Sequence, residues 1–213
     1  MPVVDNHGSL GHQTLVHAIH GARMRTIVLI ATFSATVFTS ASAQSEWKEH
    51  LFPDNHFQVQ FPAEPAVSTT PFTAADGTKV TKTTYSVRQD SGLYQAAVVD
   101  LSQTQIDAAT AIDQAVTALR ENSNVTFNQA ARQNGTCGRY LTLKGKDGST
   151  STVSLFFRDK RLYQIQGTSL PSNADSSSGY MILFTNSFSF DVTLPYRGPC
   201  FEQPAEFFTN RPN

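Results

Sequence analysis

The amino-acid sequence predicts an α+β domain whose main element is an antiparallel β-sheet, and two stretches carry this prediction. Residues 151–167 read STVSLFFRDKRLYQIQG, in which apolar and polar side chains alternate on both sides of a short turn. This pattern is typical of a β-hairpin with a buried face. Residues 104–122 change to a helical period, with small apolar side chains on one face. Such a face predicts a helix lying close on the sheet.

The hairpin at residues 151–167 has two possible registers. A two-residue loop would pair Leu155 with Gln164 and so place an apolar side chain beside an amide. A three-residue loop over residues 159–161 pairs Leu155 with Ile165 instead. Because a slip of one residue moves every side chain to the other face, the apolar match predicts the three-residue loop.

The first residues of the chain predict export. Residues 24–43 read MRTIVLIATFSATVFTSASA, with a basic start, an apolar run and an A-x-A site. This is the pattern of a signal peptide cleaved after Ala43, which places the mature protein in the periplasm or outside the cell. The alternatives are a membrane anchor or a buried helix. A membrane anchor requires ~20 apolar residues, which this run does not reach. We therefore expect no membrane span after cleavage.

Residues 1–23 precede this signal and contain most of the histidines, namely His7, His12, His17 and His20. They could form a metal-binding arm. A start of translation at Met24 explains them more simply, and we expect the segment to be disordered.

The mature chain is expected to form one domain over residues 44–190. Trp47, the single tryptophan, is predicted to pack on this domain rather than to bind a ligand. Residues 57–61 (FQVQF) alternate as a short strand, and residues 67–76 are expected to be a loop. The Thr-rich residues 79–87 predict a strand near a sheet edge, and residues 93–101 predict a central strand.

The helix over residues 104–122 is expected to begin with Thr104 and Asp107 as a capping box. Residues 125–133 then predict an irregular strand and residues 139–144 a regular one. A hairpin loop centred on Gly148 would pair Leu143 with Val153 and Leu141 with Leu155.

A second helix is predicted to end near Thr185, capped by Asp175 or a neighbouring serine. Its inward side chains are expected to be Tyr180, Leu183 and Phe184. Phe188 and Phe190 are predicted core residues, and residues 191–213 an irregular tail.

Several spaced residues resemble those of small exported bacterial proteins with the fold of PsbP, the extrinsic subunit of photosystem II. They are Trp47, Phe57, Val59, Phe61, Pro62, Pro65, Phe184, Ser187 and Phe188. The resemblance implies a single antiparallel sheet sandwiched by helices, an α/β/α arrangement that is usually without catalytic residues. Many proteins of this kind have no assigned activity, and no motif here matches a known site.

Cys137 and Cys200 are the only cysteines. In an exported protein two cysteines usually pair, so a Cys137–Cys200 disulfide is expected. Two free thiols, or a bond to a partner protein, are the alternatives.

The sequence predicts neither a catalytic cluster nor a metal or cofactor site. After the signal only His50 and His56 remain as imidazoles, with Glu49 and Asp54 near them, which is too sparse to predict zinc. The net charge of −1 gives no reason to expect nucleic acid. We therefore expect an exported, non-catalytic module that binds an envelope protein or a small ligand. The alternative is a small periplasmic hydrolase that uses His50 or His56.

Two groups of side chains are candidates for contact with a partner. The first group consists of Tyr94, Tyr140 and Tyr163. The second is a basic patch at hairpin ends, formed by Lys144, Lys146, Arg158, Lys160 and Arg161. It could contact an anion or a partner, although charged residues at strand ends are normally just solvated.

Overall fold

The structure, a computed structural model, describes residues 46–90, 92–173 and 178–191. Its strands are β1 (Lys48–Phe52), β2 (Phe57–Phe61), β3 (Ala66–Thr73), β4 (Lys79–Gln89), β5 (Gly92–Asp100), β6 (Ser123–Gln133), β7 (Thr136–Gly145), β8 (Thr150–Arg158), β9 (Arg161–Ser169) and β10 (Ser189–Phe190). Its α-helices are α1 (Ala108–Asn122) and α2 (Ser178–Ser187). No helix within these ranges is both long enough and apolar enough to cross a membrane. The predicted signal peptide and nearly all of the predicted tail lie outside the described residues.

The strands form two antiparallel sheets rather than the predicted single one. Seven strands form the large sheet in the order β3-β4-β5-β9-β8-β7-β6, and β1-β2-β10 form a small sheet. β2 buries every second residue, and these side chains pack in one core with residues of β5, β9 and α2. The expected sandwich of one sheet between helices is therefore wrong, because the small sheet shares one face of the large sheet with α2.

α1 packs on the opposite face, which we call the α1 face. Ile112 and Val116 of the helix lie in one core with Val153 and Leu155 of β8. The helical period of residues 104–122 is thus confirmed, although α1 begins later than predicted. Its N-cap is Asp107, whose Oδ1 accepts a 2.8 Å hydrogen bond from the Thr110 amide.

Thr104 does not form the predicted capping box. Its hydroxyl donates to the Leu101 carbonyl at 2.8 Å and accepts from the Ile106 amide at 3.4 Å. Thr104 therefore closes a turn that precedes the helix. Its hydroxyl is engaged by backbone groups of this turn and so does not cap the amides of the first helical turn.

The face covered by α2 and the small sheet contains a dense group of rings. Phe188 and Phe190 are each 1% exposed, as predicted, and their ring centroids are 4.9 Å apart. Trp47 lies edge-on to Tyr94 at 5.1 Å and is half-buried. The prediction that Trp47 packs on the domain is confirmed.

α2 turns a different face inward from the one predicted. Phe184 is buried as expected, together with Met181 and Thr185, but Tyr180 is 47% exposed and Leu183 is 44% exposed. The sheet explains this rotation. Met181 lies over Gly167 of β9, where an added Cβ would be 2.9 Å from the Met181 Cα. Close approach at a glycine therefore decides which helical face is buried. Asp175, a candidate cap, lies outside the described residues.

The central hairpin, β8 to β9, uses the two-residue loop, and the three-residue prediction is wrong. Arg158 pairs with Arg161, and Leu155 pairs with Gln164. Asp159 and Lys160 both have positive φ, 50° and 59°, as a type I′ turn requires. Matching of apolar side chains fixes the register only where a hairpin buries one face. The hairpin is covered on both faces, so Leu155 and Ile165 are buried on opposite sides.

The β7–β8 hairpin also differs from its predicted register, here by two residues. Leu141 pairs with Val153, and Leu143 with Ser151. A shift of two residues leaves every side chain on its predicted face, so the apolar core on the α1 face is unchanged.

The predicted loop at residues 67–76 is largely strand β3. It forms an edge of the large sheet, and nearly all its side chains are exposed. Because neither face is buried, no apolar alternation marks the strand, and Pro71 is tolerated at an edge. The other strand predictions hold: β4 lies next to this edge, β5 is central, and β6 has a register irregularity between Val125 and Phe127. β1 was not predicted.

Candidate functional site

The α1 face of the large sheet is only partly covered by its helix. α1 contacts β8, β7 and β6. The next strands of the sheet, β9, β5 and β4, lie beside the helix rather than beneath it. An open channel lies between these strands and α1. We call this channel the α1 groove.

One end of the α1 groove is a mainly apolar cavity of about 230 Å³. Its lining residues are Phe72, Lys82, Ala97, Val99, Gln114, Ala115, Ala118, Leu119, Leu162 and Gln164. The space arises because short side chains face each other, with Ala97 on the sheet and Ala115 and Ala118 on the helix. Larger side chains at these positions would fill it.

Lys82 is the cation of this cavity. It lies on β4 beside Val99 of β5, in a row that continues to Leu162 of β9. Burial lowers the pKa of the Lys82 ammonium group from its ordinary value of 10.5. Among the described residues, no hydrogen bond or ion pair joins its ammonium group to another side chain.

The amides at the cavity are already engaged with protein groups. Gln114 donates from Nε2 to the Thr73 carbonyl at 2.9 Å and so ties α1 to the end of β3. Gln164 donates from Nε2 to Gln166 Oε1 at 2.9 Å.

The α1 groove continues as a more polar cavity of about 480 Å³, to which Ala118 and Leu119 also contribute. Its floor is a chain of hydrogen bonds on β8 and β9. Gln166 donates from Nε2 to Thr168 Oγ1 at 3.1 Å, and the hydroxyls of Thr168 and Ser151 are 2.8 Å apart. The groove thus has an apolar end with one cation and a polar end lined by amides, hydroxyls and the charged side chains of Lys146 and Asp147.

The sequence analysis did not identify any of these residues as part of a binding groove. The available signal was weak. Gln164 and Gln166 alternate along β9 on the same face as Leu162, which places amides where a fully covered sheet face would have apolar residues. Lys82 stands in a Thr-rich strand that resembles an ordinary solvated edge.

Of the two histidines considered for hydrolysis, His50 lies in the small sheet and His56 immediately precedes its strand β2, and neither lines the groove. His50 on β1 packs edge-on against Phe61, with centroids 5.8 Å apart, and its Nδ1 lies 3.7 Å from Glu64 Oε2. His56 follows a 3₁₀ turn in a left-handed conformation, with φ of 55°. Within the described residues, no group of three or more His, Cys, Asp and Glu side chains could hold a metal ion.

The tyrosines named as candidates for an exposed face are mostly internal. Tyr94 is 0% exposed and Tyr163 is 1% exposed, so the prediction is wrong for both. Tyr163 donates its hydroxyl to the Asn55 carbonyl at 3.0 Å, and burial raises its pKa to about 12. Tyr140 is half-buried and lies edge-on to the exposed Phe127, at 6.3 Å.

The predicted basic patch does not form. Lys144 and Lys146 lie at the β7–β8 turn, and the other three residues lie at the β8–β9 turn, at the opposite end of β8. Arg158 is 5% exposed and places its guanidinium 5.0 Å from the centre of the Phe190 ring. Lys146 donates to the Glu121 carbonyl at 2.9 Å. Turns at alternate ends of consecutive antiparallel strands separate residues that are close in sequence.

Cys137 lies at the start of β7, with Arg132 Nη2 3.6 Å from its sulfur. Cys200 lies outside the described residues, so its pairing with Cys137 stays a prediction.

No family model matches this chain, and no curated protein matches it. Among solved structures, it is similar to the solution structure of cyanobacterial PsbP (CyanoP) from Synechocystis sp. PCC 6803. The TM-score is 0.44 at 10% identity, over 70% of this chain and 95% of that one. It is also similar to a protein of unknown function from Pseudomonas aeruginosa, described as a putative regulator. There the TM-score is 0.34 at 9% identity, over 60% of this chain and 85% of that one. The first of these carries the name of the family that the sequence resembles.

Proposed function

We propose that this protein is an exported, non-catalytic binding module that takes up a small ligand in the α1 groove. Export rests on the signal-peptide pattern of residues 24–43. Binding rests on the groove, which combines a concave apolar surface with a few polar groups. That combination is typical of small-molecule sites.

The cavity of about 230 Å³ under α1 is the observation that carries this proposal. Apolar side chains that line an open groove face water instead of other apolar groups, which is unfavourable. Here Ala115 and Ala118 keep the space open on the helix side, and Ala97 keeps it open on the sheet side. A ligand would restore the missing contacts.

The test is a titration of the isotope-labelled protein with small apolar compounds, followed by amide NMR shifts. We expect shifts concentrated at α1, β5 and β9. Ala118→Leu should abolish them, because it places a larger side chain in the groove at an exposed helical position. Ala130→Leu is the matched control, since Ala130 is exposed on β6 and does not line the groove. If no compound shifts groove residues, or if both variants behave alike, the proposal fails.

Export is tested separately. Fractionation of the native cells and N-terminal sequencing should give a soluble envelope protein that begins at Gln44. An intact residue 24–43 segment in the mature protein would contradict this part of the proposal.

A further inference from the structure

We infer that the ligand of the α1 groove is a small carboxylic acid with an apolar body, and that its carboxylate pairs with the Lys82 ammonium group. The inference rests on the proposed function and adds the chemical class of the ligand. Its geometric basis is a cation on the wall of a cavity whose other lining is mostly apolar.

Charge is the first argument. A half-buried ammonium group without a counter-ion is unfavourable, because burial removes water that solvates the charge. None of the residues lining the apolar cavity is acidic. In each described ion-pair contact the basic partner is a histidine or an arginine, so Lys82 has no acidic partner there. An anionic ligand would supply the missing charge.

The engagement of the neighbouring amides is the second argument. Gln114 and Gln164 already donate to the Thr73 carbonyl and to Gln166 Oε1, respectively. The ammonium group of Lys82, in contrast, has three N–H donors and makes no hydrogen bond to the described residues. It is thus the donor that remains available to a ligand in the cavity. A carboxylate, which only accepts hydrogen bonds, matches this donor.

Size is the third argument. An apolar cavity of ~150 Å³ binds benzene, and the cavity beside Lys82 measures about 230 Å³. A six-membered ring with one carboxylate fits this space, as does a short aliphatic acid. The more polar extension past Ala118 and Leu119 would accept a further hydrogen-bonding substituent.

The experiment compares benzoate with benzyl alcohol, which has a similar ring and no charge. Affinities are measured by NMR titration of the full chain and of three variants. Lys82→Met removes the charge and keeps the apolar stem. Lys82→Arg keeps a positive charge. Lys79→Met removes an exposed lysine from the same strand and serves as the matched control.

We expect the unaltered protein and Lys79→Met to bind benzoate equally. Lys82→Met should bind benzoate about 10- to 100-fold more weakly, the usual effect of losing one hydrogen bond to a charged group. Lys82→Arg should recover part of this loss. Benzyl alcohol should bind all four proteins alike, which also shows that Lys82→Met retains the groove.

The outcomes separate the two proposals. If benzyl alcohol shifts the groove residues and Lys82→Met leaves benzoate affinity unchanged, the carboxylate inference is wrong and the groove remains a binding site. If neither compound shifts groove residues in the unaltered protein, the inference fails together with the proposed function.

Discussion

Gly167 of β9 controls how closely α2 approaches the large sheet, and Gly167→Ala tests this directly. A Cβ at this position would lie 2.9 Å from the Met181 Cα, 3.0 Å from its sulfur and 3.1 Å from its Cβ. Ordinary van der Waals contact begins at 3.4 Å. Because one of the close atoms belongs to the helix backbone, a change of side-chain rotamer at Met181 cannot relieve the overlap. α2 must move outward.

The cost follows from two opposing effects. Overpacking a well-filled core destabilises by about 1–3 kcal/mol. Replacing glycine by alanine also restricts the unfolded chain, which stabilises by about 0.4–1 kcal/mol. The midpoints of these two ranges give an expected net loss of about 1.3 kcal/mol in the free energy of unfolding.

Gly179→Ala is the matched control, because Gly179 lies in α2 and an added Cβ there meets nothing within 4 Å. Alanine favours helix over glycine by up to ~1 kcal/mol, so this variant should be neutral or more stable. Urea unfolding measures both variants, with unchanged m-values as the check on two-state behaviour. A Gly167→Ala protein as stable as the parent would show that α2 does not lie against β9 as described.

Three further predictions concern titrating groups. Asp107→Ala should lower stability by about 1 kcal/mol through loss of the α1 cap. The hydrogen bond from the Thr110 amide lowers the pKa of the Asp107 carboxyl in the folded protein below its ordinary value of 3.8. The stabilisation by the ionised carboxylate is therefore complete above pH 3.8 and is lost as the pH falls through the lowered pKa, so the stabilities of parent and variant should converge in acid unfolding experiments. Burial lowers the pKa of Lys82 in the folded protein from its ordinary value of 10.5. The parent should therefore gain stability relative to Lys82→Met as the pH rises from the lowered pKa to 10.5, and an equal dependence of stability on pH in the two proteins would contradict this. Burial raises the pKa of Tyr163 from 10.0 to about 12, so the parent should lose stability relative to Tyr163→Phe between these values, measured by thermal unfolding at alkaline pH.

Amphipathic patterns in the sequence predicted the elements that bury one face. α1 is the clearest case, since Ala111, Ile112 and Ala115 recur at helical spacing and are all buried. β2 was predicted equally well from the sequence, because Phe57, Val59 and Phe61 alternate with glutamines. In both elements local pattern and tertiary environment agree.

Amphipathic patterns are uninformative for an element that is covered on both faces or on neither. β8 and β9 are buried on two faces, so matching apolar side chains could not fix their register. The left-handed backbone of Asp159 and Lys160 fixes it instead. β3 has two exposed faces and gave no pattern at all.

The groove could not be predicted because it depends on what α1 leaves uncovered. Lys82 and Gln164 are far apart in sequence and meet only through the pairing of β4, β5 and β9. No local spacing records that arrangement, and neither residue type is distinctive in a strand.

The small sheet joins the beginning of the domain to its end, and this has a consequence for biosynthesis. Phe190 of β10 pairs with Phe57 of β2, and its amide donates to Asn134 Oδ1 at 3.0 Å. A ribosome delivers Phe57 more than a hundred residues before Phe190. Until the last strand is present, the ring cluster around Phe57 lacks Phe188 and Phe190 and stays accessible to other apolar surfaces. The order of the strands therefore leaves the incomplete chain prone to aggregate until its C-terminal strand is present.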